Sequence, residues 1–582
     1  MSASPIHLGS NPVHPPQGKV GGETVSLLGE PFYCIRHYDQ MPPFFMSIVS
    51  SSDQWMFLAS TGGLSAGRIN PESALFPYET DDKIAEGADH TGPLAIILAG
   101  RNGRTLLWEP FSRHSPGVYR VERNLYKNAI GDKIVFEEIN RDLGLAYRYA
   151  WRSSDRFGFV HTAWLRNDNL DRTPLSLLAG VQNLLPYGAT TALQSHMSNL
   201  LDAYKRAELD PETGLGLFTL SSILTDLAEP SEALGATTAW QVGLENSRHL
   251  LSPLQVEAFR RGAAVTPERD VRGRRGAYLL HADLDLPGGA EQTWSIVLEV
   301  NQDHGRVASL RNLLTRECAP GLAARLEEDI ARCSADLTAI VAAADGLQVS
   351  GDALGARHHF ANVLFNTMRG GIFAENYRVR RDDLADFLRM RSRPVLEQQQ
   401  AFLHGLPDPI DVGELLERAA AAGSPDLERL CYEYLPLTFS RRHGDPSRPW
   451  NRFSINVRKP DGSRKLDYQG NWRDIFQNWE ALALSYPEFV ESMIARFLNA
   501  TTCDGYNPYR VTRDGIEWET ADPDAPWANI GYWSDHQVIY LEKLLELSER
   551  FHPGRLRSLL DRRIFSCANV PYRIKAYSDL LG

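Results

Sequence analysis

Cysteine is scarce in this chain. The 582 residues hold six (Cys34, Cys318, Cys333, Cys431, Cys503 and Cys567), none in CxxC spacing, which excludes a disulfide framework or a zinc ribbon as the expected organiser and fits reduced thiols. Long apolar runs are missing too: no stretch of eighteen or more occurs, and the opening MSASPIHLGSNPVHPPQGKVGGE has no basic segment followed by an apolar one. Neither a spanning helix nor a secretory leader is expected, and the expected location is cytoplasmic. Basic charge is in deficit, with 61 Lys and Arg against 73 Asp and Glu and a net charge of -12. Nucleic acid and anionic membranes are therefore not expected partners, because both require clustered cations to displace counterions. Adjacent histidines, His358-His359, precede an apolar helical stripe and cannot share a helix face as metal ligands do. They read as structural, and no metal or cofactor is expected.

What remains, 43% apolar and 23% charged residues, is the composition of a soluble globular protein. Its length requires more than one core. Residues 1–28, rich in Pro, Gly and Ser, read as a flexible arm. Residues 29–302 read as antiparallel β structure: QWMFLAS, LAIILAG, RTLLWEPF, DKIVFEEI, GLAYRYAW, GFVHTAWL, AYLLHADLDL and QTWSIVLEV alternate or run apolar. Gly62-Gly63, Asn102-Gly103 and Gly288-Gly289 punctuate them as turns. So many strands imply a large sandwich of sheets, interrupted by one helical segment around Ala192 to Glu208. Residues 303–350 read as a helical linker, with Leu322, Leu326, Ile330, Leu337 and Ile340 at helical spacing over 321–343. Residues 351–582 read as all-α, with an insertion near 378–450.

The stretch from Leu466 to Leu545 is the most chemically loaded. Six of the chain's 12 tryptophans (Trp450, Trp472, Trp479, Trp518, Trp527, Trp533) lie in it or just before it. Asn471 is placed to cap a helix carrying Asp474 in its first turn, with Ile475, Phe476, Trp479 and Leu482 as its stripe. Ser534 and Gln537 form a capping box for a second helix, with Asp535 in its first turn, that runs through Val538, Leu541 and Leu545 and stops at Pro553-Gly554. First-turn carboxylates are explained by the helix dipole alone, worth about 0.3–1 kcal/mol. Their company is less ordinary: Trp472 and Arg473 beside one, Tyr532 and Trp533 beside the other, and Asn507, Tyr509 and Arg510 between. Aromatic faces stack on sugar rings, while Asp, Arg and Asn supply the directional hydrogen bonds that hydroxyl groups need.

At these residues the sequence resembles the cellobiose and chitobiose phosphorylase family and related cellodextrin and cyclic-glucan enzymes. Asn471-Trp472-Arg473-Asp474-Ile475-Phe476-Gln477-Asn478 is similar to the family motif G-F-R-D-Q-L-Q-D. Asp504-Gly505-Tyr506-Asn507-Pro508-Tyr509 is similar to its aspartate and His/Trp-rich loop, and Ser534-Asp535-His536 to its Ser-Asp-Asp helix start, in the same order. Upstream, Met41-Pro42-Pro43-Phe44-Phe45 with Gly62-Gly63 and Pro71 to Pro77 resembles the start of the family's β-supersandwich, and Gly346-Leu347-Gln348-Val349 the end of its linker. The resemblance implies a galactose-mutarotase-like β-supersandwich, a helical linker and an (α/α)6 six-hairpin barrel. The 231 residues after Gly351 are few for twelve helices plus an insertion, so only the front part of the barrel is expected; one alternative, a larger glycan-remodelling enzyme of which this chain is a portion, has the natural gene continue.

The implied chemistry is inverting phosphorolysis of a glucosidic bond, with inorganic phosphate as co-substrate, giving a sugar 1-phosphate from a disaccharide or oligosaccharide. The resemblance also implies a homodimer. By carry-over, Trp472, Arg473, Asp474, Asn507, Tyr509, Trp533, Asp535 and Arg452 bind substrate, and no residue is assigned as the general acid. The family's Trp-Asn-Asp type motif and its phosphate-binding His, Thr and Gly have no counterpart here, and its second aspartates are replaced by Asn478 and His536. Alternatives are an inverting six-hairpin hydrolase, which would need two carboxylates roughly 6.5–9.5 Å apart, and a carbohydrate-binding protein or fragment without catalysis. Arg441-Arg442-His443 with Arg448, Trp450 and Arg452 reads as a solvated basic loop or as part of the sugar or phosphate end of the site. Asn366, Arg369 and Gly370-Gly371 read as a helix stop or a site edge, and Glu517 and Glu519 as surface residues or acid–base groups.

Overall fold

Tertiary structure is described by a computed structural model for residues 6–16, 18–114, 117–225, 228, 231–442, 444–448, 453–518, 537–569 and 578, with the backbone of the strand Tyr532–Trp533. The chain divides into two compact units, Met1–Leu337 with Asp445–Trp450, and Thr338–Gly444 with Asn451–Gly582.

Among the described residues, three large antiparallel sheets build the first unit, beside a two-stranded ladder of His7–Leu8 with Asn11–Pro12. The largest has eleven strands, and four of its central members are Glu291–Asp303, Gly158–Asn167, Leu145–Ser154 and Ile134–Asn140. A five-stranded sheet centres on Thr173–Leu184 between Gly92–Arg101 and Gly276–Leu286. A four-stranded sheet runs from Phe45–Val49 to Ala74–Phe76. One core joins all three: Tyr147, Trp151, Phe159 and Trp294 from the large sheet pack with Leu177, Ala179 and Tyr278 from the second and Met56, Leu58 and Phe76 from the third. The central strands are buried on their other face as well. Val160, Val297 and Trp240 pack there with Leu322, Leu326 and Ile330 of the helix Ala319–Ala342. Burial on both faces explains why these strands read as nearly continuous apolar runs rather than clean alternations.

Turn chemistry sets the hairpins. Asn102 and Gly103 both take positive φ, 51° and 73°, between strands whose Arg101 and Arg104 are opposite one another, the two-residue turn that matches strand twist. The expected helical segment from Ala192 to Glu208 is shorter than read. Helices Thr191–His196 and Ser198–Tyr204 give way at Lys205, and Lys205–Leu209 is a strand of the large sheet, with Ala207 buried opposite Phe218. A five-residue strand with one inward alanine gives too little period to separate it from the helix before it.

The second unit is helical, and it carries two- and three-residue ladders that helical periodicity cannot display. Its main helices are Ala353–Gly370, Arg381–Arg391, Val412–Ala421, Pro425–Glu433, Trp472–Ser485, Val490–Ala500 and Val538–Phe551. Gly371 ends the first of them at φ 87°, ψ 176°, where a Cβ would lie 3.1 Å from Leu437 Cβ. Just beyond, Ile372–Phe373 pairs with Leu437–Thr438, so the chain departs from and returns to one place within this unit. Everything between is an excursion closed by its own ladder. Among the described residues no helix is long and apolar enough to cross a membrane.

Candidate functional site

The three sequence blocks around Trp472, Asn507 and Trp533 meet through backbone pairing. Gln469–Asn471 pairs with Arg510–Thr512, placing Asn471 opposite Arg510. Tyr506–Asn507 pairs with Tyr532–Trp533, placing Asn507 opposite Tyr532. Arg510–Thr512 also pairs with Ile516–Glu517 in a tight hairpin. The first pairing brings Arg510–Thr512 to the opening of the Trp472 helix, and Tyr506–Asn507, which precedes that strand in the chain, carries the Tyr532–Trp533 strand.

That helix opens differently from the sequence reading. Asn471 occupies the cap position but makes no side-chain capping bond. The Trp472 N–H instead donates to the Tyr509 carbonyl at 2.9 Å, so the neighbouring strand does part of the work expected of the asparagine. Asn471 Oδ1 and Trp472 Nε1 are left buried without partners. A buried acceptor and a buried donor without partners each carry a desolvation cost of about 1–3 kcal/mol unless a ligand meets them. Gly470 is required just before: a Cβ there would sit 2.8 Å from Ile475 Cβ.

The candidate residues are not equivalent. Trp472 is 1% exposed, with its ring centroid 4.8 Å from Phe476 and 4.7 Å from Phe497, so its faces are occupied by core and its free group is the indole N–H. Arg473 is exposed and Asp474 half-buried. Asn478, standing where the resemblance has an aspartate, donates to the Asp474 carbonyl at 2.6 Å. Trp479 donates to the Gly370 carbonyl at 2.8 Å, holding this helix against Ala353–Gly370, and Gly370-Gly371 act as a helix stop. Asn507 is 1% exposed and accepts from Thr501 Oγ1 at 2.9 Å. Tyr509 is half-buried. Trp518 stacks on Tyr506, centroids 5.7 Å apart. Arg452, Asp535, Glu519, His443, Trp450, Trp527, Ser534 and His536, and the Trp533 side chain, lie outside the described residues. Gln537, the other half of the expected capping box, precedes the helix Val538–Phe551 without a side-chain cap bond.

Next to the Asn471 strand sit two arginines of contrasting support. Arg510 reaches Gln469 Oε1 at 3.3 Å and pairs with Glu517. Arg442 bonds Tyr509, yet burial, and then the charge of Arg510, pull its guanidinium below its ordinary pKa. The Nε of each is buried without a partner. Two crowded guanidinium groups against one half-exposed carboxylate leave local positive charge that an anion would relieve. His359 is structural as expected, bonded through Nε2 to the Asp345 carbonyl at 2.8 Å. Among the described residues no group of three or more His, Cys, Asp or Glu is placed to hold a metal.

Beneath the hairpin lies a network the sequence reading missed. Glu433, fully buried, receives Arg391 at 2.6 Å, Arg429 at 2.9 Å, Arg496 at 3.2 Å and Asn499 at 2.9 Å. Burial alone would raise its carboxyl; Arg496, Arg391 and Arg429 override that and hold it below the usual carboxylate range. Arg496, 1% exposed, also donates to the carbonyls of Thr512 and Gly515 at 2.7 Å each. The carboxylate thus fixes the arginine that fixes the hairpin, and the hairpin places Tyr509 and Arg510. Charges inside the apolar runs LCYEYLPL and MIARFLNA were the available signal.

Residues 373–436 match glycoside hydrolase family 149 insertion domain 1. This is the excursion closed by the Ile372–Phe373 ladder, and it contains Glu433. The match covers a minor part of the chain, and no curated protein sequence matches. Among solved structures, a bacterial glucoamylase complexed with acarbose is similar at 9% identity and TM-score 0.34, over 95% of this chain and 68% of that one. One described as a kojibiose phosphorylase from the human microbiome is similar at 9% and 0.30, over 86% and 59%. A family GH92 α-mannosidase from Bacteroides thetaiotaomicron is similar at 9% and 0.28, over 89% and 71%.

Proposed function

We propose that this protein is carbohydrate-active, that its sugar site opens at the first turn of the Trp472 helix, and that its reaction is inverting phosphorolysis of a glucosidic bond to a sugar 1-phosphate. The observation that supports the sugar site is the pairing of Gln469–Asn471 with Arg510–Thr512 at the opening of the Trp472 helix, where Asn471 Oδ1 and Trp472 Nε1 are buried without partners and Arg473 and Asp474 occupy the first turn. Hydroxyl groups, each both donor and acceptor, match such a set. The glycoside hydrolase insertion domain within the chain supports the same class.

Phosphate is favoured over water as nucleophile by the Arg442–Arg510 pair, whose unrelieved charge suits a dianion. Phosphate attacks the anomeric carbon from the face opposite the leaving group while a carboxylic acid protonates the departing oxygen; one enzymic carboxyl suffices because phosphate is itself the nucleophile. The roles proposed for this chain's residues are binding and orientation: Asp474 and Arg473 on the non-reducing sugar, Arg442 and Arg510 on the phosphate. A homodimer remains part of the proposal by resemblance.

A second reading, sugar binding without turnover, is favoured by Asn478, whose amide is committed to the Asp474 carbonyl where the family has a carboxylate. Incubation with β-linked glucose disaccharides and oligosaccharides, with and without inorganic phosphate, separates the readings. Phosphate-dependent sugar 1-phosphate supports phosphorolysis, free sugar without phosphate supports hydrolysis, and binding with neither supports the second reading. Arg442→Gln should raise KM for phosphate several-fold more than KM for sugar.

A further inference from the structure

Two of the six cysteines sit together beside the loop that leads into the site. Cys503 lies between the helix Val490–Ala500 and the strand Tyr506–Asn507, and Cys567 lies 64 positions later, after the helix Arg555–Leu559. Both are exposed, and their side chains lie near enough to interact with one another. The juxtaposition is built by the Asn499 side chain and by one backbone bond. Asn499 Nδ2 donates to the Ile564 carbonyl at 3.2 Å and its Oδ1 accepts from the Ser566 N–H at 2.8 Å, while the Ala568 N–H donates to the Thr501 carbonyl at 3.0 Å. Ile564 is fully buried and anchors the segment. Thr501 in turn donates to Asn507 Oδ1, so the docked segment, the cysteine loop and a candidate site residue form one connected piece.

We propose that Cys503 and Cys567 are a reversible thiol–disulfide pair whose oxidation staples segment 564–568 to the loop 501–505. The oxidant is a small disulfide such as glutathione disulfide. One cysteine thiolate attacks it, forming a mixed disulfide and expelling one glutathione thiolate; the neighbouring cysteine, after losing its proton, attacks the protein-bound sulfur and expels the second. The protein loses two protons and two electrons, and the oxidant becomes two glutathione thiols. The other four cysteines differ: Cys34, Cys333 and Cys431 are buried, and Cys318 is exposed in the other unit. The inference needs no assumption about sugar or phosphate.

The test uses the full chain, treated with glutathione disulfide, quenched with a thiol-alkylating reagent and examined by intact mass and non-reducing peptide mapping. The expected result is loss of two hydrogens and one linked pair of peptides, Cys503 to Cys567, reversed by dithiothreitol. Cys503→Ser and Cys567→Ser should each abolish the link and leave a single glutathione adduct on the remaining partner. Hydrogen exchange of residues 501–509 should slow at least several-fold on oxidation of the wild type and stay unchanged in Cys503→Ser. Separate adducts on both thiols without a linked peptide, or a link that involves Cys318, would overturn the proposal.

Discussion

Replacing Glu433 by Gln removes one charge and almost no volume from the second unit. The wild-type carboxylate faces three guanidinium groups, of which Arg391 and Arg429 keep 20% and 21% of their side chains exposed while Arg496 keeps 1%. The first two can turn toward water; Arg496 cannot, because it is buried and its Nη2 is held by the Thr512 and Gly515 carbonyls. Breaking a buried ion pair on one side costs about 3–5 kcal/mol, and the glutamine oxygen, still an acceptor, places Glu433→Gln near the lower end. For a unit of this size that corresponds to a drop of roughly 6–12 °C in thermal midpoint. The pH dependence follows from the lowered carboxyl. A depressed folded-state pKa gives stability that is fully present above the unfolded value, about 4.3, and that is lost as pH falls through the folded value. The gap between wild type and Glu433→Gln should therefore be widest at neutral pH and narrow steadily from about pH 4.5 toward pH 3. Calorimetry across that range reads both effects, and hydrogen exchange should speed in residues 510–517. A midpoint change under about 2 °C at pH 7, or a gap independent of pH, would refute the idea that this carboxylate holds the arginine and the hairpin.

Other predictions separate binding from packing. Asp474→Asn should weaken sugar binding at least tenfold by titration calorimetry while moving stability by only about 0.3–1 kcal/mol, the size of a first-turn dipole term; a large stability loss with unchanged binding would remove Asp474 from the site. Trp472→Phe keeps an aromatic ring against Phe476 and Phe497 but deletes the orphaned N–H, so sugar affinity should fall while stability drops by about 0.5–3 kcal/mol. Unchanged affinity would make Trp472 purely a core residue. Gly371→Ala forces a Cβ onto Leu437 and Thr438 at positive φ and should cost about 1–3 kcal/mol by denaturant titration, loosening the base of the insertion.

The sequence displayed the division into a β part and a helical part because each strand run and helical stripe is long. It also displayed the helix that carries Asp474, whose stripe Ile475, Phe476, Trp479 and Leu482 is buried as drawn. It did not display why Asn471 leaves its cap unused: the Tyr509 carbonyl reaches Trp472 only through a ladder of three residues, below the length at which alternation is visible. The role of Trp472 was hidden for a related reason. An indole beside polar residues reads as a stacking face until Phe497, from another helix, is known to cover it. Glu433 and Arg496 were visible as charges inside apolar runs, but nothing local says that residues 63 positions apart are partners. The Cys503–Cys567 contact, 64 positions apart, is long-range in the same way, and spacing rules that look for CxxC pass over it.

Whether the opening of the Trp472 helix binds sugar is tested most directly by titration calorimetry with β-linked gluco-oligosaccharides in the absence of inorganic phosphate. Saturable binding to the wild type is expected, weakened at least tenfold in Asp474→Asn while that variant stays folded. Absence of saturable binding to any of these sugars, or equal binding by wild type and a folded Asp474→Asn, would contradict it.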